Sequence, residues 1–457
     1  MTNDQFSRFD LLKRAIPLVL FLFFVSSCGQ WNIDLDIKIS LILLIAIVSF
    51  ITLFSKPILG VYAVSVVSIA FSPSVDIGFS NLYFHQWIIF LALLASLSSG
   101  LILGNIHNNI KSKMNIPMMI FIGTILLSMS HAPNMVTGIK SFLYIGVFVA
   151  SYYLVLLCIH RENHLRIFIF LLIITTSIVC LISLMYHGSG RLGSVVLRNP
   201  NSFGNFLALV IPFGVTFLIY GRLEGGKKLT LAFMILLLFV GLVLTFSRSA
   251  WIGVFVSILS LFIIRPKGSS GLIVFIIISA VILFAPIQKR VFKDISDPGA
   301  QYRMIKARIA YDKFKEHPIL GNGLGSFHYE AQFSNIWAYH AHSTLENNYL
   351  LMLAEGGIVE FFAFLYLMVA FAKICLAYLK RVNDSFLYPV LLGSVMSIIS
   401  TLAAGMFEDT LFFPKNNWLI GMFMGIVIVA GRIYEESIKV DNSMGFGIEG
   451  DPTASSN

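Results

Sequence analysis

Long apolar runs separated by short polar stretches make up most of the chain. A helix that crosses a bilayer needs roughly 20 mostly apolar residues. The apolar residues in these runs are continuous rather than alternating, which favours helices over the strands of a barrel. Several runs are short, so the pattern predicts an all-α polytopic membrane protein with about 12–14 transmembrane helices. The fourteen runs are 15–30, 37–54, 57–72, 84–104, 116–131, 138–159, 165–186, 202–221, 229–246, 249–265, 271–287, 357–379, 386–406 and 416–433.

Composition excludes an ordinary soluble protein. Apolar residues make up 57% of the 457 residues and charged residues only 12%, and the mean hydropathy is +0.85. Soluble domains carry about a quarter charged residues. The four cysteines all lie in apolar runs without metal-ligand spacing, so we expect buried thiols. Cys28 follows a basic and then an apolar stretch that resembles a lipoprotein signal; the alternative is an ordinary first membrane helix.

The charge distribution predicts the orientation in the membrane. On a soluble protein, a net charge of +9 would suggest nucleic acid, but here no nucleic-acid partner is expected. With a cytoplasmic N-terminus, one set of short loops carries seventeen Lys and Arg residues and the other set six. Cytoplasmic loops carry this excess. We therefore expect a single transmembrane domain over residues 1–439, a periplasmic segment 288–344 and a disordered cytoplasmic tail 440–457.

Three arginines lie on the predicted outer side, where few basic residues are expected: Arg191, Arg198 and Arg248. Arginines at an interface can simply anchor to lipid headgroups. Arg248, however, lies between two apolar runs with almost no loop, where a charge is costly unless it faces protein, water or an anion. The planar guanidinium suits phosphate oxygens. Asn201 or Ser202 could cap the following helix, whose first amides would add anion affinity; the alternative is a merely structural cap.

The long outer segment contains a second candidate site. After a turn at 297–299, the spacing predicts a helix over 301–316, with Arg303, Lys306 and Lys313 forming a basic stripe. The stripe could face anionic lipid or a glycolipid phosphate, or it could be a solvated face. A Gly-rich turn at 317–325 follows. Since no strand precedes it and no Lys-Ser or Lys-Thr pair follows it, a nucleotide-binding loop is excluded.

The end of this segment carries the candidate proton acceptors. If residues 342–355 form a helix, His342 and Glu346 lie one turn apart on the same face. A histidine with a carboxylate at that spacing can act as a general base with an orienting partner. His340 and His342 could also suggest a metal, but nothing around them resembles a zinc motif, so no metal is expected.

Taken in order, these stretches resemble the bacterial O-antigen ligase and polysaccharide polymerase family. The resemblance covers about residues 190–360 and rests on motifs that are individually weak. The matching pieces are Arg191 with Asn199 to Asn201, Ser247 with Arg248, Arg303, the turn 317–325, and the stretches 347–350 and 355–357.

The resemblance implies a membrane-embedded glycosyltransferase that uses a lipid-linked donor. In such an enzyme, a glycan on undecaprenyl diphosphate is transferred to an acceptor hydroxyl, on lipid A-core or another glycan, at the outer face of the inner membrane. O-antigen, capsule or exopolysaccharide is assembled in this way, without a cofactor, a nucleotide sugar or a metal. Arg191 and Arg248 would bind the diphosphate, with Arg303 assisting. Asn201 and Asn347 are predicted to contribute to the substrate site.

One departure from the family pattern leaves the base and the reaction open. Many members carry His before the Tyr-Leu run, where this chain has Glu346, while His342 lies four residues earlier. Glu360 replaces a later Gly. The base is therefore His342 or Glu346, and the protein is a ligase or a repeat-unit polymerase. A secondary anion transporter and a non-catalytic partner of other polysaccharide-assembly proteins are the alternatives from other classes, although no internal repeat typical of transporters is present.

Overall fold

A computed structural model describes most of the chain after the first fifty residues. The contacts divide the chain into Met1–Thr52 and Leu53–Asn457, and nearly all described residues belong to the second unit. The predicted runs 15–30 and 271–287, most of 37–54, Cys28 and His342 lie outside the described residues. The described residues are 52–70, 74–76, 81–104, 109–188, 190–194, 197–264, 298–331, 345–411 and 416–445.

The eleven other predicted runs all fold as helices, which confirms a multi-pass membrane protein. Eight of the described helices are long and apolar enough to cross a membrane, and three apolar helices are shorter. The eleven are α1 (Ile58–Ala70), α2 (Phe84–Leu103), α3 (Asn115–Ser130), α4 (Met135–Cys158), α5 (Glu162–Met185), α6 (Pro200–Tyr220), α7 (Gly225–Thr245), α8 (Arg248–Ile264), α11 (Asn348–Arg381), α12 (Leu387–Ala404) and α13 (Asn417–Gly445).

The described part of the predicted outer segment contains two helices, and elsewhere one small hairpin interrupts the helical pattern. The helices are α9 (Pro298–Glu316) and α10 (Ser326–Ala331). Helix α9 begins at Pro298, and proline is well tolerated in the first turn of a helix. The predicted turn over 297–299 is therefore wrong for residues 298 and 299, which belong to the helix. The hairpin pairs β1 (Ser74–Asp76) with β2 (Asn81–Tyr83) in antiparallel register. The sequence pattern predicted no strands.

Close helix packing builds the core of the membrane domain. The most extensive contacts join α13 to α4 and α12 to α6. The rings of Phe213 and Phe423 lie 5.2 Å apart, and the Ser397 hydroxyl donates to the Leu209 carbonyl at 2.6 Å. In lipid, such packing and interhelical hydrogen bonds hold helices together, because burying apolar side chains gains little there. Cys158, Cys180 and Cys375 are buried, as predicted.

Hydrogen bonds gather several helix ends at one end of the bundle, which we call the loop end. The Ser128 hydroxyl, near the end of α3, donates to the Glu355 carbonyl in α11. The first residue of α11 bonds to the Gly405 carbonyl just after α12. The Asn416 side-chain Nδ2, just before α13, donates to the Ser202 carbonyl in α6. The site described below lies at this end.

The last helix sets the boundary of the C-terminal tail. α13 continues to Gly445, five residues past the predicted start of the tail at residue 440. The part of the predicted tail from 446 to 457 lies outside the described residues.

Candidate functional site

Arg191 joins the beginning of α6 to the end of α7. Its Nε donates to the Thr245 carbonyl at 2.9 Å, and its Nη2 bonds to the Asn201 side-chain oxygen and, at 3.4 Å, to the Phe246 carbonyl. Phe246 has a left-handed φ of 50°, which ends α7. The structure therefore brings the predicted residues Arg191 and Asn201 together, and it places the guanidinium where two helix ends meet.

Arg248 lies beside this junction, as the tight spacing of the two apolar runs predicted. It is the first residue of α8, separated from α7 only by Phe246 and Ser247. Arg248 is half-buried. The Ser247 hydroxyl is buried and lies 3.2 Å from that of Ser249. Arg191 and Arg248 thus belong to one corner of the loop end.

The cap of α6 differs from the prediction. Asn199, not Asn201 or Ser202, caps the helix, since its side-chain oxygen accepts the Asn201 amide at 2.9 Å and Pro200 occupies the first turn. Proline is favoured there, because its missing N–H needs no partner. The Asn201 side chain instead links Arg191 to a residue that the sequence did not suggest: its Nδ2 donates to Glu408 at 3.2 Å.

Glu408 is an unpredicted acidic member of the site. It lies in the connection between α12 and α13 and is half-buried. Burial, followed by repulsion from Asp409 and Glu346, raises the pKa of its carboxyl to about 8, although Arg303 and Asn201 oppose the shift. No motif marks Glu408. The pair of acids in a short connection between two apolar runs is the only sequence signal that could have indicated it.

Helix α9 contributes two cations that meet one carboxylate. Arg303 forms an ion pair with Glu346, and the Lys306 amine lies 4.0 Å from the other oxygen of the same carboxylate. The Lys306 side chain is only 6% exposed. Burial lowers its pKa, and the charges of Glu346 and Asp409 act in the opposite direction.

The predicted basic stripe on α9 is therefore placed differently in the structure. Lys306 faces inward beside buried Ala310, while Met304 and Ile305 are exposed. Lys313 also turns inward and pairs with Glu330. The helical spacing was predicted correctly, but it could not reveal which face the rest of the protein covers.

The prediction of one helix over 342–355 is wrong at its start. Helix α11 begins at Asn348, so Glu346 precedes the helix and does not lie on a helical face. His342 lies outside the described residues. The argument that placed His342 and Glu346 one turn apart is thereby removed.

Asn347 explains where α11 begins. Its side-chain oxygen accepts the Tyr349 and Leu350 amides at 2.9 and 3.0 Å, and its Nδ2 donates to the Met406 carbonyl at 2.9 Å. An asparagine cap satisfies amides that otherwise lack partners. Both ends of the side chain are engaged in backbone contacts, so the geometry gives Asn347 a structural role in fixing the segment that carries Glu346.

The Gly-rich turn 317–325 docks into a break in α11. Gly357 has a left-handed φ of 66° that interrupts the helix. The freed Ile358 and Val359 amides donate to the Pro318 and Ile319 carbonyls at 2.9 and 3.2 Å. A Cβ on Gly357 would overlap the Ile319 carbonyl. The turn 317–325 and the stretch 355–357, which are separate motifs in the sequence, thus form one structural unit.

Buried carboxylates complete this unit. The Glu355 oxygens accept the Gly325 amide at 2.9 Å and the Phe327 amide at 3.2 Å, which satisfies the beginning of α10. Glu360 is 1% exposed and packs against Gly356. Neither carboxylate oxygen of Glu360 has a hydrogen-bond partner among the described residues.

The site therefore combines basic and acidic groups with distinct chemical capacities. Guanidinium and ammonium groups can hold phosphate oxygens and stabilise charge that develops on a leaving group. Carboxylates can orient an acceptor hydroxyl or take its proton. The basic members are Arg191, Arg248, Arg303 and Lys306, and the acidic members are Glu346, Glu408 and Asp409.

Part of the chain matches a known protein family. Residues 233–365 match the family described as O-antigen ligase. The match runs from α7 into α11 and includes Arg248, Arg303 and Glu346, whereas Arg191 and Asn201 lie before it. A search of curated proteins found no match. Residues 233–365 of this multi-pass membrane protein are therefore similar to the O-antigen ligase family.

Proposed function

We propose that the protein transfers a glycan from undecaprenyl diphosphate to an acceptor hydroxyl, on lipid A-core or another glycan, at the outer face of the inner membrane. The observation that carries this proposal is the position of the basic residues. Arg248 and Arg303 lie in the segment that matches the O-antigen ligase family, and an Asn201–Glu408 hydrogen bond links Arg191 to the acidic residues beside Arg303.

The proposed reaction needs a binding site for the leaving group and an acceptor for one proton. The acceptor oxygen attacks the anomeric carbon, and the bond from this carbon to the diphosphate oxygen breaks. Its electron pair stays on the departing lipid diphosphate. The proton of the acceptor hydroxyl passes to a base. Arg248 and Arg303, supported by Arg191, would stabilise the charge that grows on the diphosphate.

Glu408 is the base in this proposal. Both carboxylate oxygens of Glu346 are already engaged by Arg303 and Lys306. Burial and neighbouring acids raise the pKa of Glu408 to about 8, which is near the range that suits a general base close to neutral pH. Asn201 would hold its carboxylate in place through their 3.2 Å hydrogen bond.

The charge distribution supports an outward-facing site. The end of the bundle opposite the loop end carries many of the Lys and Arg residues of the predicted cytoplasmic loops. Examples on described elements are Arg166 on α5, Lys227 on α7 and Arg381 on α11. This arrangement favours a loop end that faces away from the cytoplasm.

Deletion of the gene followed by gel analysis of surface glycans tests the function and distinguishes its two versions. Glycan that accumulates on the lipid carrier indicates a ligase, and acceptors capped with single repeat units indicate a polymerase. An unchanged glycan profile, together with lost anion uptake in membrane vesicles, would contradict both versions and favour the transporter.

A further inference from the structure

Glu346 bridges two cations of α9. Arg303 and Lys306 are three residues apart, so their side chains project from the same side of the helix, and both reach the Glu346 carboxylate. The Lys306 side chain is only 6% exposed. Burying its charge costs free energy unless a nearby anion compensates it. The pair of cations is therefore an anion site, and in this structure a side chain of the protein itself supplies the anion.

We infer that the Glu346 carboxylate occupies the site at which the diphosphate of the lipid donor binds, and that Lys306 is a further diphosphate-binding residue. This inference rests on the proposed function and identifies how its site changes when the donor binds. Glu346 moves away from Arg303 and Lys306, and phosphate oxygens take over both contacts.

Two features favour this exchange. A diphosphate carries more charge than a carboxylate and offers several oxygens to the guanidinium and the ammonium group at once. Glu346 lies in the irregular segment before α11, and its side chain is 25% exposed. It can therefore leave without unwinding a helical turn, and water can solvate the released carboxylate.

Binding of farnesyl diphosphate to the purified full-length protein in detergent tests the inference. We expect Glu346→Gln to bind about three- to tenfold more tightly than the wild type, because the competing anion is gone; tenfold corresponds to about 1.4 kcal/mol. Lys306→Gln should bind more weakly, and Lys306→Arg should restore binding. Glu330→Gln, which removes the partner of Lys313 on the same helix, is the matched control and should bind like the wild type.

Farnesol, which has the same isoprenoid tail but no phosphate, shows how much of the binding comes from the tail rather than from the diphosphate. Its binding should not change in Glu346→Gln. Equal or weaker binding of farnesyl diphosphate by Glu346→Gln would overturn the inference. This failure differs from failure of the proposed function: tighter binding by Glu346→Gln without glycan transfer by the wild type supports the anion site and contradicts the transferase.

Discussion

The Glu355 carboxylate accepts the Gly325 amide at 2.9 Å and thereby joins two motifs that are thirty residues apart. Since Glu355 precedes the break at Gly357 and Gly325 precedes α10, this contact fixes the outer segment on α11. The cations Arg303 and Lys306 belong to the same outer segment. Glu355 and the glycines of the turn thus position the site rather than take part in its chemistry.

Replacing Glu355 should destabilise the protein. Glu355→Gln keeps one acceptor oxygen for two amides, Gly325 and Phe327, so a buried donor loses its partner at a cost of about 1–3 kcal/mol. Thermal unfolding in detergent should show a lower Tm. Glu162→Gln, which removes an exposed pair with Arg166, should change the Tm little. Equal Tm values for the two variants would contradict the capping role of Glu355.

Gly357→Ala should impair folding more than the same substitution at an unstrained helical glycine. Alanine is strained at a φ of 66°, at a cost of about 1–2 kcal/mol, and its Cβ would also displace the Ile319 carbonyl. Gly123→Ala in α3 is the matched control, since its Cβ would meet nothing within 4 Å and alanine favours helices. We expect loss of folded protein for the first variant and normal yield for the second, measured by size-exclusion chromatography. Normal folding of Gly357→Ala would refute the docked turn.

Stability should depend on pH through Glu408. Its pKa is raised from 4.5 to about 8 in the folded state, so the folded protein binds more protons than the unfolded chain between these values. Stability therefore falls as pH rises across this window. In Glu408→Gln, this contribution is absent. The Tm of the wild type should decrease between pH 5 and pH 8 more than that of the variant; parallel curves would show that Glu408 titrates normally.

The identity of the base can be decided by kinetics. Glu408→Gln should lower glycan transfer by about a hundredfold and remove the rise of kcat/KM with pH that reflects ionisation of the base. His342→Ala should keep both the rate and the pH profile. The opposite pattern, an inactive His342→Ala and an active Glu408→Gln, would transfer the role to His342.

The apolar pattern was sufficient to predict the helices of the membrane domain, because a long continuous apolar run has few alternatives in lipid. Eleven predicted runs agree with described helices. The helix ends were less predictable, since they depend on single caps. Asn199 and Asn347 determine where α6 and α11 begin, and for this reason the expected helical position of Glu346 was wrong.

The site was predictable only in part, because tertiary contacts assemble it. Arg191 and Asn201 were singled out together and do meet. The inward position of Lys306 could not be deduced, since the sequence of α9 does not show which face is covered. Glu408 lies 207 residues from Asn201, and no local pattern connects the two. Long-range polar contacts of this kind are specified by the fold and not by spacing.

Transfer from a polyprenyl-diphosphate-linked glycan by the purified protein, compared between Arg303→Ala and Arg308→Ala, tests the central claim most directly. Both arginines are exposed residues of α9, but Arg303 pairs with Glu346 in the site, whereas Arg308 lies five residues further along the helix, on another face. We predict a loss of about a hundredfold for Arg303→Ala, as expected when one group that stabilises transition-state charge is removed, and near wild-type transfer for Arg308→Ala. Equal rates for the two well-folded variants would contradict a diphosphate site at the loop end.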